Sequence, residues 1–507
     1  MKRLNQLMLL AATLLTIGCA EETAMPSNGK NNHQKTDTKG LTAFVEDVKG
    51  EEGVANVAST RTTAEYFDKG GTNRGLHFYW TEGDRLWVNN GTLIQDASNT
   101  ISDVLVNNLT TPTGVKRTPK ASFSFEGTFT APSYPVRYTG KGNLVGDKIT
   151  IKAQQNQAIA NDASHIGEDG DCGIATATRS AGSNQYKFTL EHKAAYLTFL
   201  PYSTINFSNS VKVTQIKVTA DKAICGQFDF NDNGIDINNR PVAMPTNQSI
   251  TLTLNGGNIN GFPIPTSAQI ASNAATMVIA PGTYNTLTVE YTLYDQTTKG
   301  GGTMTKTYNN VTLTEGKNKK ISQNLQQPPQ ILSYGTWHPG LYTGGTTPNV
   351  HAGMWYMHRG DPHIDTLTMT VVRLHSTAPA NLIRGGLWLK KKAFIPGFTP
   401  NYAHNGVNYL KHHSPLPYMY SQINGYTVNV PIGKPADVTN YFFLVSAGFN
   451  GSALYSLNGG TRYWMGNGFD SAGDAMAQVF GTDLKPNPVV EIGSNPKTIY
   501  HMYWTYQ

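Results

Sequence analysis

Thr286-Leu287-Thr288-Val289-Glu290-Tyr291-Thr292-Leu293-Tyr294 places a large apolar or aromatic side chain at every second position, with Thr288, Glu290 and Thr292 between. Successive side chains of an extended chain point to opposite faces, so this run predicts a strand with one face in a core and the other in water. Ser249 to Leu254 and Val211 to Ala220 repeat the pattern upstream. Further out, the same reading covers Leu41 to Val48, His77 to Trp80, Arg85 to Val88, Ala121 to Thr130, Lys148 to Ala153, Tyr186 to Leu190, Ala195 to Phe199, Gly226 to Phe230, Ala275 to Ile279, Met304 to Tyr308 and Lys319 to Leu325. Clusters such as Asn89-Asn90-Gly91 separate these runs, and no long amphipathic helix interrupts them. The expectation is an all-β chain of sandwiches.

The chain has 507 residues, 39% hydrophobic and 15% charged, with 50 Gly and 26 Pro. That composition excludes a disordered or collagen-like chain, and the length excludes a single small domain. The net charge is +6, and the only dense basic block beyond the N-terminal tip is Lys390-Lys391-Lys392, so nucleic acid is not an expected partner. At Gln326-Gln327-Pro328-Pro329 the pattern breaks. Trp337, Trp355, Trp388, Trp464 and Trp504 all lie beyond it, which marks a third, aromatic and loop-rich unit of mixed α+β character. Within that unit Ser471 to Phe480, with Asp474, Ala475, Met476 and Ala477, is the expected short helix.

Met1-Lys2-Arg3 followed by the apolar stretch Leu7 to Ile17 reads as an export signal, too short to span a bilayer. It ends in Leu15-Thr16-Ile17-Gly18-Cys19, which resembles a bacterial lipoprotein box; the resemblance implies diacylglycerol on Cys19 and anchorage to a membrane. Residues 20–40 are polar and read as a tether. The expected units are 1–19 signal, 20–40 tether, 41–194 first sandwich, 195–326 second sandwich and 330–507 C-terminal domain. Cys172 and Cys225 are the remaining thiols; whether they pair is open from spacing alone.

Thr60-Arg61-Thr62-Thr63 and Trp80-Thr81-Glu82-Gly83-Asp84-Arg85-Leu86-Trp87-Val88 resemble the start of a fimbrillin-like protein of the Bacteroidetes type. Phe188 to Leu197, Ile279-Ala280-Pro281-Gly282-Thr283-Tyr284 and Val311 to Ile321 continue the likeness, which covers about residues 20 to 325. The resemblance implies two tandem transthyretin-like sandwiches in a lipoprotein exported to the outer membrane and built into surface fimbriae. It also implies cleavage by an arginine-specific protease after the first strand, at Arg61 or Arg74, and filling of the opened groove by a strand from another subunit.

Tyr441 to Phe449, Asn450 to Tyr455 and Gly460-Thr461-Arg462-Tyr463-Trp464 resemble the FISUMP-type domain, which is similar to C-type lectin-like folds. A binding role is implied, for a glycan or protein ligand of host or bacterial origin. Trp355 and Trp464 are candidate ligand-binding aromatics, since an indole face suits the apolar face of a pyranose, although such rings also build cores. His358-Arg359-Gly360-Asp361-Pro362-His363 reads as a turn whose His358, Asp361 and His363 are candidate ligand contacts; no metal is assigned to them. Lys485-Pro486-Asn487 lacks a Trp-Asn-Asp partner, so calcium-dependent sugar binding is not expected. Asp229-Phe230-Asn231-Asp232-Asn233-Gly234 has Arg240 where a calcium loop needs Glu, and reads as a hairpin. No catalytic motif of hydrolases, zinc peptidases or nucleotide-binding loops is present. The sequence therefore reads as a non-enzymatic fimbrial subunit, expected at the filament tip, with no cofactor. Its alternatives are a permanently anchored glycan-binding lipoprotein, a secreted hydrolase and an ordinary stalk subunit.

Overall fold

The computed structural model describes residues 40–47, 63–69, 73–105, 110–335, 348–408, 426–450, 453–455, 461–471, 474–483, 489–496 and 501–504. The fold is all-β, in several sheets with short helices. The alternating runs that decide the fold class meet in one sheet, ordered Gln154–Gln157, Ser249–Leu254, Val211–Ala220, Gly282–Asp295, Gly301–Leu313. Its registers align the apolar phase of each run: Ile216 opposes Leu252 on one side and Tyr291 on the other, and Val218 opposes Ile250 and Val289. The second layer contains Ala275–Ile279, Ala195–Tyr202 and Asn318–Asn324. Ala195–Tyr202 is buried along nearly its whole length, as a strand covered on both faces must be.

The chain interleaves the two sandwiches. Lys148–Ile151 pairs with Gly226–Asn231, and Gln154–Gln157 runs parallel to Ser249–Leu254, before the backbone returns to the first sheet at Gly173–Arg179. Two buried glutamines make this possible. Gln155 Oε1 accepts from Val278 N at 2.9 Å, and Gln157 Oε1 accepts from Thr276 N at 2.7 Å while its Nε2 donates to Ala274 O at 2.9 Å. Side-chain amides thus satisfy the edge of Ala275–Ile279, whose buried peptide groups would otherwise lack partners. Asp229 to Gly234 forms the expected hairpin, with Phe230 opposite Ile235 and Asn231 opposite Gly234.

The N-terminal sheet runs Leu93–Gln95, Trp87–Asn89, Ser133–Tyr138, Gly173–Arg179, Tyr186–Phe188, Thr42–Glu46, Ser122–Phe125, Ser98–Asn99. At its junction with the second sandwich, buried Asp171 accepts from the Tyr196 hydroxyl and lies 2.9 Å from His192 Nδ1. Cys172 and Cys225 are both buried free thiols.

Among the described residues the C-terminal domain has two larger sheets, Gln330–Ile331, His363–Arg373, Asn381–Lys390, Tyr441–Val445, and Tyr334–Gly335, His501–Met502, Thr461–Ser471, Asp474–Asp483, Val489–Pro496, Tyr426–Asn429, and a separate two-stranded one of Gly448–Asn450 and Ala453–Tyr455. The expected helix at Ser471 to Phe480 is not formed: Asp474–Asp483 is a strand, paired with Thr461–Ser471 in a register that sets Phe469 against Met476. Two long partners on either side outweigh the helix preference of Ala-Met-Ala. Among the described residues the α-helix of this domain is Val350–His358, capped by Asn349, whose side chain accepts from Ala352 N at 3.0 Å.

The second sandwich and the C-terminal domain are joined by hydrogen bonds from several segments. Ala380 N donates to Asn206 O at 3.0 Å and Ser208 N to Ala380 O at 2.7 Å. Buried Asp295 accepts from Ser210 Oγ at 2.7 Å, Asn381 Nδ2 at 2.8 Å and Leu382 N at 3.0 Å. Thr298 Oγ1 donates to Leu382 O, and Arg373 to Ile205 O.

Candidate functional site

The opening strand, Thr42–Glu46, is an interior strand of its sheet although it is the first of the described strands. It is antiparallel to Ser122–Phe125, with Phe44 opposite Phe123, and parallel to Tyr186–Phe188, with Phe44 opposite Tyr186. Phe44 is fully buried; it stacks on Tyr186 at 4.7 Å and meets Phe125 and Phe129 edge-on at 5.0 and 5.3 Å. Trp80 Nε1 donates to buried Glu46. The strand continues at Asp47, whose N donates to Phe188 O at 2.7 Å. Removal of these residues leaves two facing rows of unpaired peptide groups around an aromatic slot, a template for another strand.

Cys19 and Arg61 lie outside the described residues. Arg74 lies in Asn73–Thr81, opposite Asp68 of the neighbouring strand Thr63–Lys69. A protease needs an extended, accessible backbone, so cleavage at Arg74 requires this hairpin to open first.

In the C-terminal domain Trp355 and Trp464 are core residues with their polar edges satisfied: Trp355 Nε1 donates to Tyr402 O at 2.9 Å, and fully buried Trp464 donates to Gly335 O at 2.7 Å. His358, at the helix end, stacks on His404 with ring centroids 4.1 Å apart and planes 16° apart. Burial, His404 and the Arg359 guanidinium hold its pKa down to about 4, so it is neutral at pH 7. Near-parallel rings aim their nitrogens along separate planes and cannot share one ion at a bond length of about 2 Å. Among the described residues no group of three or more His, Cys, Asp or Glu converges as a metal site.

Asp361 and His363 are brought together at the open face of the sheet, Asp361 Oδ1 lying 3.4 Å from His363 Nε2, with Lys390 Nζ 3.8 Å from Asp361. Asp361 has left-handed φ (+44°) and accepts from the Tyr441 hydroxyl. Burial opposes ionisation of Asp361, yet Tyr441, His363 and Lys390 outweigh it and hold its carboxyl below the usual range.

Beside them stands Trp388, absent from the sequence-derived candidates. The register sets His363, Trp388 and Phe443 in a row across three strands. Leu387 and Leu389 point into the core, while Trp388 is part-exposed on the other face. An aromatic on the polar phase of an alternating strand, as in Leu387-Trp388-Leu389-Lys390, is the signal that marks it.

Solved structures similar to this chain include a candidate cell adhesion protein from Bacteroides ovatus, aligned over 50% of this chain and 87% of its own at 14% identity and a TM-score of 0.28. Another, from Bacteroides fragilis, aligns over 56% and 94% at 11% identity and a TM-score of 0.27. A fimbrial protein from Bacteroides ovatus aligns over 92% and 99% at 9% identity and a TM-score of 0.22. No family model matches the chain, and no curated protein matches it. Among the described residues no helix is long and apolar enough to cross a membrane.

Proposed function

We propose that this chain is a surface-exposed fimbrial subunit, lipidated at Cys19, whose opening strand is removed by proteolysis after Arg61 and replaced by a strand donated from another subunit. The observation that carries this reading is the seat of Thr42–Glu46: an N-terminal strand lodged between two partners, around Phe44, with the candidate cleavage site downstream of it. An interior strand at the chain start is separable from the fold by one cut, whereas an interior strand in mid-chain is not.

The subunit stands at the filament tip and acts by binding, not catalysis. Its second sandwich closes with Asn318–Asn324, paired parallel to Ala195–Tyr202 and followed by a folded domain that is hydrogen-bonded back onto the sandwich. The strand His501–Met502 is likewise engaged within the fold, since Met502 pairs with Tyr334 and Tyr463, and Trp504 beside it is buried. Such a subunit accepts a strand and donates none.

Mass spectrometry and immunogold labelling of isolated fimbriae test both parts. The expected result is an N-terminus at Thr62 and gold particles at one tip per filament. Residues 41–48 retained in assembled filaments overturn the maturation step, and labelling along the shaft overturns the tip position. Fatty-acid labelling equal in wild type and Cys19→Ala overturns the anchor.

A further inference from the structure

We propose that the open sheet face centred on Trp388 binds an acidic sugar, a pyranoside carrying a carboxylate or sulfate, with the indole as stacking surface and Lys434 as the counter-charge. This rests on reading the C-terminal domain as an adhesive one. The indole is held in place before any ligand arrives: Nε1 donates to Asp365 at 3.0 Å, and Phe443 packs against the ring at 4.7 Å between centroids. Asp365 is itself fixed, accepting from Leu367 N at 2.8 Å, Thr368 N at 3.0 Å and Thr368 Oγ1 at 2.6 Å. A side chain pinned by such contacts loses little further freedom on binding.

One cation beside the ring has no carboxylate partner among the described residues and is available to an anion. Lys434, exposed, places its ammonium 5.7 Å from the centre of the Trp388 ring, and no carboxylate lies within ion-pair distance of it among the described residues. The acids around this face are already committed: Asp365 to the donors above, Asp361 to Tyr441, His363 and Lys390, and Asp437 to Thr439 N, Thr439 Oγ1 and Asn440 Nδ2. A pyranose laid on the indole gains the aromatic contact through its C–H face, and an acidic substituent on that ring comes beside the ammonium.

Titration of purified full-length protein with sialyllactose, a sulfated disaccharide and neutral lactose, followed by ligand-detected NMR, tests the site. At least one acidic sugar is expected to bind about tenfold or more tighter than lactose, and to weaken between about 0.05 and about 0.5 M salt. Which acidic sugar binds separates the carboxylate from the sulfate. Trp388→Ala is expected to lose about tenfold in affinity, and Lys434→Gln to abolish the preference for acid over neutral sugar. Trp388→Phe and Lys434→Gln keep the test valid if Trp388→Ala fails to fold, because the first retains a ring and the second alters an exposed side chain. Equal or absent binding of acidic and neutral sugars, or unchanged affinity and preference in the variants, overturns the proposal. Incorporation into filaments is read separately by immunogold, so failure of sugar binding with assembly intact refutes this site and leaves the fimbrial reading standing.

Discussion

Phe44→Ala probes the opening strand at its most committed residue. The side chain is fully buried, stacked on Tyr186 and bracketed by Phe125 and Phe129 at 5.0 and 5.3 Å. Truncating a buried phenylalanine costs about 3–5 kcal/mol, the transfer term plus the cavity left among rigid rings. For a unit of this size each kcal/mol lowers Tm by about 2–4 °C, so the first sandwich should melt about 6–20 °C lower by calorimetry. The same side chain can be tested in trans. A chain beginning after Asp47 should melt lower than the parent, and a synthetic peptide of residues 40–48 at about 100 times its Kd should restore about 2.7 kcal/mol. The Phe44→Ala peptide should bind about two to four orders of magnitude more weakly, the ratio that about 3–5 kcal/mol implies. A loss below about 1 kcal/mol for the substitution, or a truncated chain that melts like the parent and ignores the peptide, would refute the groove.

Asp295→Ala removes a buried acceptor of Ser210, Asn381 and Leu382 and should cost about 2–4 kcal/mol, read as faster cleavage between the second and third domains in limited proteolysis; an unchanged cleavage rate counts against the junction. Gly170→Ala should destabilise by about 3 kcal/mol in urea melts, since Gly170 has φ +118° and a Cβ there would sit 2.6 Å from Ile151 Cα; a neutral result contradicts the packing. Burial lowers the pKa values of His165, His358 and His501 from 6.5 to about 4. The unfolded chain therefore takes up protons that the folded chain refuses, and this contribution, full above the ordinary histidine pKa, is lost as pH falls from about 6.5 towards about 4. Tm should drop on acidification through that window, and a flat or rising Tm would contradict it.

Strands whose one face is wet and whose apolar residues alternate strictly were legible. Val211–Ala220, Ser249–Leu254 and Gly282–Asp295 alternate in burial as they alternate in sequence. The partners were not legible. Nothing local to Gln154–Gln157 says that its two inward glutamines complete the edge of a strand more than a hundred residues away, because that signal lies in the pairing and not in either segment. Val350–His358 escaped for another reason: eight of its nine residues are buried, so no polar face betrays the helical period. The surface of the C-terminal domain was read in part. Asp361 and His363 do meet there, whereas Trp355 and Trp464 turn inward, and residue type alone does not distinguish a ring in a core from a ring on a sheet face.

The junction through Asp295 and Ala380 has a mechanical meaning. Two separate stretches of the sandwich, Ile205 to Ser210 and Asp295 to Thr298, hold Arg373 to Leu382 of the last domain, so a load applied to that domain is divided between them. A single linker would let the module swivel. Attachment at two stretches of the sandwich resists both bending and torsion, so a pull on the last domain reaches the sandwich as traction on its sheet and is not spent in reorienting that domain.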